Sequence, residues 1–213
     1  MKLLVATRSA GKMREIRRIL AAVPGLDVLD PDEAGIPRDP AEDGLEPHDT
    51  FEENARSKAR YFRERSGLTT VADDSGISVD ALGGAPGVRS KRFAPDAGTD
   101  AEGLSGQALD DANNRHLVER LRGVPEERRT ARYVCVAVLL DGSGEEVLVR
   151  GEAPGVIIDE PRGGGGFGYD PHVLVPELGR TYAELTPDEK DARSHRGAAF
   201  RQLAELLRRG IGT

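Results

Sequence analysis

VADDSGISVDALGGAPGV, Val71 to Val88, places two adjacent aspartates between a short apolar stretch and a run of glycine, alanine and proline. Thr69 to Ala72 reads as a strand, and Asp73 and Asp74 stand where it stops. In open α/β sheets, ligands bind at the carboxyl ends of strands. Adjacent side chains on a strand point to opposite faces, so the two carboxylates are expected to serve different tasks. A carboxylate followed by small residues can hold Mg²⁺, which prefers oxygen ligands and keeps several waters. The alternative for an isolated DDSG is a turn-capping aspartate beside a solvated one.

The pattern on either side decides the fold class. KLLVA, residues 2–6, is a continuous apolar run, and from Lys12 the residues Met13, Ile16, Leu20 and Val23 recur at helical spacing. Leu26 to Leu29 reads as a second strand, followed by a polar, proline-containing segment from Asp30 to Asp49. Thr50-Phe51-Glu52-Glu53 has the form of a capping box and opens a helix to about Arg65, with Phe51, Ala55, Ala59 and Phe62 inward. Beyond the glycine-rich loop, a helix is predicted between about Asp110 and Arg122. Arg132 to Leu140, the turn Asp141 to Gly144, and Glu145 to Gly151 form a predicted hairpin. Gly155 to Asp159 and Val173 to Val175 add candidate strands. A last helix is predicted to start at the second capping box, Thr186-Pro187-Asp188-Glu189, and to run to about Gly210 through Ala199, Leu203, Leu206 and Leu207. Strands alternate with helices and one hairpin interrupts them, which predicts an α/β fold with a mixed sheet.

Composition narrows the function classes. The chain has 213 residues, 38% hydrophobic and 31% charged, as expected of a compact globular protein. The net charge of −7 supplies no global basic field for a nucleic-acid polymer, so an anionic ligand must be held by local groups. The single cysteine, Cys135, sits in the apolar YVCVAVLL and reads as a buried, inert thiol in a reducing compartment. The opening apolar run is shorter than a signal-peptide core of ~7–15 residues. No segment approaches the ~20 apolar residues that span a bilayer, and a cytoplasmic location is expected.

Three further stretches carry chemistry. Thr7-Arg8-Ser9-Ala10-Gly11-Lys12 joins a strand to a helix start, where free NH groups and the helix dipole favour an anion. It lacks the GK[ST] of a P-loop. Gly166-Phe167-Gly168-Tyr169-Asp170-Pro171 sets two aromatics and an acid among glycines, suited either to stacking a base or to a packed turn. The four glycines Gly163 to Gly166, by themselves, read as a flexible hairpin tip. Lys190 and Ser194-His195-Arg196 bring cations to one end of the last helix.

Together these stretches resemble the inosine triphosphate pyrophosphatase, or Ham1-like, family of non-canonical purine NTP pyrophosphatases. The resemblance rests on LVATRSAGKMREI (Leu4–Ile16), TFEENARSKA (Thr50–Ala59), ADDSGISVDALGGAPGVRSKRF (Ala72–Phe93), GGFGYDP (Gly165–Pro171) and AELTPDEKDARSHRGAA (Ala183–Ala199). It implies one ITPase-like domain over residues 1–213, two-lobed, with a long mixed central sheet flanked by helices and the site in the cleft between lobes. It also implies a homodimer that hydrolyses dITP, ITP and XTP to the monophosphate and pyrophosphate with Mg²⁺.

Carried over residue by residue, the resemblance makes Asp74 the base for the attacking water and a metal ligand. Glu46 is the second metal carboxylate by its spacing from Thr50-Phe51, with Glu42 and Asp43 as competitors. Thr7, Arg8, Ser9, Ala10, Gly11, Lys12 and Lys58 fall to the phosphates, and Ser75 lies beside the substrate. Phe167 stacks on the base, Gly168, Tyr169 and Asp170 line its pocket, and Lys190, His195 and Arg196 read its carbonyl edge. The family loop T-G-N-x-G-K is altered here at Arg8 and Ser9. The motif usually ending S-A-R-[YF] reads Ser90-Lys91-Arg92-Phe93. Two rivals remain at this level: a Maf-like pyrophosphatase of modified pyrimidine nucleotides, and a nucleotide-binding regulator without turnover.

Overall fold

The structure, a computed structural model, describes residues 1–210; the end of the 1–213 domain expectation, residues 211–213, lies outside them. Seven strands form one sheet in the order β2-β1-β3-β4-β5-β6-β7. They are β1 (Lys2–Val5), β2 (Asp27–Leu29), β3 (Thr69–Val79), β4 (Thr130–Leu140), β5 (Glu146–Ile157), β6 (Val173–Val175) and β7 (Arg180–Thr181). β1 runs parallel to both β2 and β3, whereas β6 is antiparallel to β5 and β7, so the sheet is mixed as expected. The helices are α1 (Ala10–Leu20), α2 (Phe51–Ser66), α3 (Phe93–Asp96), α4 (Gly106–Arg120), α5 (Pro187–Arg193) and α6 (His195–Arg208). Among the described residues, no helix is long and apolar enough to cross a membrane.

The chain divides into two compact units. The first comprises residues 1–74, 135–151 and 194–210, and the second residues 75–134 and 152–193. In the first, Met13, Ile16 and Leu20 of α1 and Ala199, Phe200, Leu203 and Leu207 of α6 share a core with Leu3 and Val5, Val71, and Cys135, Ala137 and Leu139. Both helices present these residues at three- and four-residue intervals, which is why they pack. In the second unit, Ile77 and Val79 join Leu117 of α4, Leu121 just beyond its end, Tyr133, Ile157, Val173 and Tyr182. Truncating a fully buried leucine such as Leu203 or Leu117 costs about 2–5 kcal/mol.

Four expectations are corrected. β3 does not stop before Asp73: it continues to Val79, and both aspartates lie inside it, 2% and 5% exposed. Ser75-Gly76 suggests a turn in the sequence, yet Gly76 serves close packing. A Cβ there would overlap Gly87 O and Ser90 Oγ, and Ser90 Oγ accepts the Ile77 N–H at 2.8 Å. β5 is continuous through Gly155, where a separate strand was predicted; a Cβ at 155 would strike Val173 and the Leu174 main chain. The last helix is two helices, broken at Ser194, which turns extended (ψ 155°) and caps α6 by accepting from Gly197 N. Gly163 to Gly166 is not a free hairpin tip. A Cβ on Gly163 or Gly165 would collide with the Ala183 main chain, and Gly165 N–H donates to Ala183 O at 2.9 Å.

Candidate active site

In the first unit, the connection out of β1 is held by its own side chains. Thr7 Oγ1 accepts from Ser9 N–H at 3.2 Å, and Ser9 Oγ caps α1 by accepting from Lys12 N–H at 3.3 Å. Ala10 and Gly11 form the first turn of α1, and Lys12 Nζ reaches Asp73 Oδ2 at 3.0 Å. The same oxygen takes Arg196 Nη2 at 3.3 Å, and Arg196 Nη1 meets Glu15 Oε2 at 2.5 Å. Burial alone would raise the Asp73 carboxyl pKa, but Lys12, Arg196 and Lys58 hold it well below the usual carboxylate range. Asp73 is therefore an anchor for cations.

Asp74 has the opposite environment. Burial pushes its carboxyl up, Lys58 opposes this, and the nearby Glu46 carboxylate pushes it up further. Asn54 Nδ2 donates to Asp74 Oδ2 at 3.0 Å while Asn54 also bonds both main-chain groups of His48, at 2.9 and 3.2 Å. Lys58 Nζ bonds Glu46 and the main-chain oxygen of Asp73. Its ammonium is disfavoured by burial but kept charged by Glu46, Asp74 and Asp73. The two side chains on β3 thus bond different groups, Asp73 to Lys12 and Arg196 and Asp74 to Asn54, as strand alternation allows, while the Lys58 charge acts on both.

Arg8 does not reach into this cluster. Its guanidinium forks onto Glu42 at 3.0 and 2.8 Å and also donates to Asp32 at 2.5 Å and Ile36 O at 3.0 Å. Glu42 is thereby occupied, Asp43 is exposed, and Glu46 is the carboxylate placed with Lys58 beside Asp73 and Asp74. Ser75 follows Asp74 on β3. Cys135 lies against Asp73 Oδ2 at 3.8 Å, fully buried, and burial drives its thiol pKa up, as the reading of an inert thiol expected.

The second unit holds a different cluster. Asp170 accepts from Tyr133 Oη at 3.1 Å, from Phe167 N–H at 2.9 Å and from Lys190 Nζ at 2.6 Å. Lys190 Nζ stands 4.8 Å from the Phe167 ring centroid. Tyr169 Oη donates to Ser90 O at 2.7 Å. A Cβ at Gly166 (φ 72°) would overlap the Asp170 carboxylate, so glycine is required there for both space and conformation. Burial first, then the Asp170 charge, drives the Tyr133 phenol pKa far upward, so it remains a donor.

Of the trio assigned to the carbonyl edge of a base, Lys190 sits with Asp170 and Phe167, whereas Arg196 is engaged by Glu15 and Asp73, and His195 is buried in the first turn of α6. Asn54, Glu15 and Tyr133 are site neighbours that sequence reasoning missed. Asn54 carried a signal: it lies four residues before Lys58 on the buried face of α2, where an amide needs a polar partner.

Known proteins resemble this chain along nearly its whole length. The model of the Ham1 family matches residues 3–206. A Frankia alni protein named dITP/XTP pyrophosphatase is 48% identical over 209 residues, 98% of this chain and 98% of its own. A HAM1 protein structure from Coxiella burnetii superposes with TM-score 0.81 at 34% identity, covering 97% of this chain and 98% of that one. The Staphylococcus aureus Ham1 protein gives TM-score 0.80 at 31% identity over 99% and 100% of the two chains. With its sheet order, its paired aspartates and these matches along nearly its whole length, the chain belongs to the Ham1 family.

Proposed function

We propose that this protein is a Mg²⁺-dependent nucleoside triphosphate pyrophosphatase that hydrolyses dITP, ITP and XTP to the monophosphate and pyrophosphate, cleansing the nucleotide pool. The observation that carries the reading is the convergence of Lys12 and Lys58 on the buried Asp73-Asp74 step of β3, with Glu46 beside it. Relatives named dITP/XTP pyrophosphatase supply the substrate class.

Asp73 draws one oxygen toward Lys12 and Arg196 and so fixes two cations. A lysine ammonium has three donors: Lys12, with one given to Asp73, retains two for phosphate oxygens, and Lys58, with two given to Glu46 and the Asp73 main chain, retains one. Asn54 holds the Asp74 carboxylate in one orientation, from which it accepts the proton of the water that attacks the α-phosphorus as pyrophosphate leaves. Glu46 and Asp74, two carboxylates that repel each other, would hold Mg²⁺. Mg²⁺ takes one or two carboxylates plus phosphates and water, and Glu46 and Asp74 would supply the carboxylates. When bound, Mg²⁺ supplies a more acidic water and neutralises charge on the leaving group.

At the base, Phe167 offers a stacking face, and Lys190, oriented by Asp170, offers a donor to the 6-oxo group of hypoxanthine or xanthine. Adenine carries a donor at that position and leaves the lysine unmatched. Arg8, held by Glu42 and Asp32, braces the phosphate loop instead of touching phosphate. The protein is further read as cytoplasmic, consistent with its one buried thiol, and as a homodimer on the family resemblance alone.

The test is pyrophosphate release from dITP, XTP, dGTP and dATP with Mg²⁺ and with EDTA. Fast, metal-dependent release from dITP and XTP alone supports the reading. No release from any of them, by protein that binds dITP, overturns it in favour of a regulator.

A further inference from the structure

The backbone of Gly168, between Phe167 and Tyr169, is satisfied in an unusual way: both of its polar groups are bonded by side chains of one helix. Its N–H donates to Asp110 Oδ2 at 2.8 Å, and its C=O accepts from Asn114 Nδ2 at 2.9 Å. Asp110 and Asn114 are four residues apart on α4, hence on one face one turn apart. Gly168 has φ 64°, and nothing lies within 4 Å of where its Cβ would be, so conformation alone calls for glycine.

A glycine-rich connection loses more backbone entropy on ordering than any other and needs fixed partners to hold one shape. α4 is a firm post for such partners. Leu117 and Leu121 anchor it in the core of the second unit, and Asn113 bonds Ala94 N and Lys91 O at 2.9 and 3.1 Å. The clasp is also costly. Asn114 is 6% exposed, and its Oδ1 has no hydrogen-bond partner among the described residues. A buried, unsatisfied acceptor costs about 1–3 kcal/mol, a penalty an apolar side chain of similar size would avoid. A residue that costs stability while holding one main-chain oxygen is placed for its donor, and sites that break a local packing rule tend to be functional.

We propose that Asp110 and Asn114 are positioning residues for base recognition: they clasp the main chain of Gly168 and thereby set the angle at which Phe167 meets the base. The inference rests on the reading of Phe167 as the base platform. Neither residue touches the nucleotide; each acts through the glycine. The clasp belongs to selectivity and binding of the base and leaves the chemistry at the α-phosphorus alone.

The test uses the full-length protein and two probes: dIMP, titrated calorimetrically, and inorganic tripolyphosphate, measured as a competitive inhibitor of dITP hydrolysis. Asp110→Ala is expected to weaken dIMP about tenfold and to raise KM for dITP similarly, with kcat within about twofold and the tripolyphosphate Ki unchanged. Asp110→Asn is expected to restore most of the affinity, because an amide oxygen can accept the same N–H. Asn114→Leu keeps the protein testable should Asp110→Ala fail to fold: its thermal midpoint is expected at or above wild type while dIMP binds roughly three- to fivefold more weakly. Wild-type dIMP affinity in Asn114→Leu, or an equal loss for dIMP and tripolyphosphate in either variant, overturns the clasp. Wild-type protein that neither binds dIMP nor releases pyrophosphate from dITP overturns the parent reading as well, so the two failures are distinguishable.

Discussion

The two clusters are built by opposite means. In the first unit, Lys12, Lys58 and Arg196 project from three helices onto a strand that carries two acids, and long side chains buried among one another hold the geometry. In the second, the main chain of residues 165–168 carries the Phe167 ring, and side chains outside that stretch fasten it: Asp170, Asp110 and Asn114. A site made of buried ion pairs couples function to folding, because removing a charge that its pairs hold in place, such as Arg196, strands its partners. A site made of pinned backbone can lose affinity with little change in stability.

Arg196→Met should sharpen this contrast most. It leaves Asp73 and Glu15 buried without their shared cation, and breaking a buried pair costs about 3–5 kcal/mol, readable as a drop in the urea midpoint. Asp74→Asn comes next: the rate should fall at least ~10²-fold in a steady-state assay. The folded protein should be no less stable by calorimetry, since burial and Glu46 already disfavour the Asp74 charge. Near wild-type turnover would break the assignment of Asp74 as base. Phe167→Ala should lose about 1–3 kcal/mol of dIMP binding, the usual worth of stacking a base on an aromatic ring, with the tripolyphosphate Ki unmoved. A matching loss for both probes would erase the distinction between the clusters.

The smallest effect is expected at Arg8. Its hydrogen bond lowers the Glu42 carboxyl pKa, so the stability from this pair is present above the ordinary glutamate pKa and is lost as pH falls through the lower folded value. Arg8→Ala should cost about 1 kcal/mol at neutral pH. The gap to wild type should close in acid, as followed by denaturation midpoints across pH. A gap that widens in acid would contradict the brace.

Much of this is legible in the amino-acid sequence alone. The helix starts at Thr50 and Thr186 announced themselves through local chemistry, and both form: Glu53 N–H bonds Thr50 Oγ1, and Thr186 and Glu189 bond each other reciprocally. The family's motifs led to the aspartate pair and the FGYD loop because each is contiguous. What escaped reading depends on partners far along the chain. Ser75-Gly76 looks like a turn until Gly87 and Ser90 come close enough to demand a glycine within a strand. The break at Ser194 is the local exception: serine is a favoured helix cap, and its extended backbone and the bond from Gly197 N show it in that role. Glu15 meets Arg196 across 181 positions and Asp110 meets Gly168 across 58, and no local pattern encodes either. Arg8, an apparent departure in the phosphate loop, makes sense only when Asp32, Ile36 and Glu42 are seen around it.

The lone thiol has a practical consequence. Cys135 is fully enclosed within the first unit, against Asp73, and burial keeps it protonated. A thiol-specific reagent can modify it only in molecules that have opened there, since the thiolate is the reactive form. The unaltered protein therefore carries a built-in clock: the labelling rate of Cys135, with and without nucleotide, reports how often the first unit opens and whether a nucleotide slows that opening.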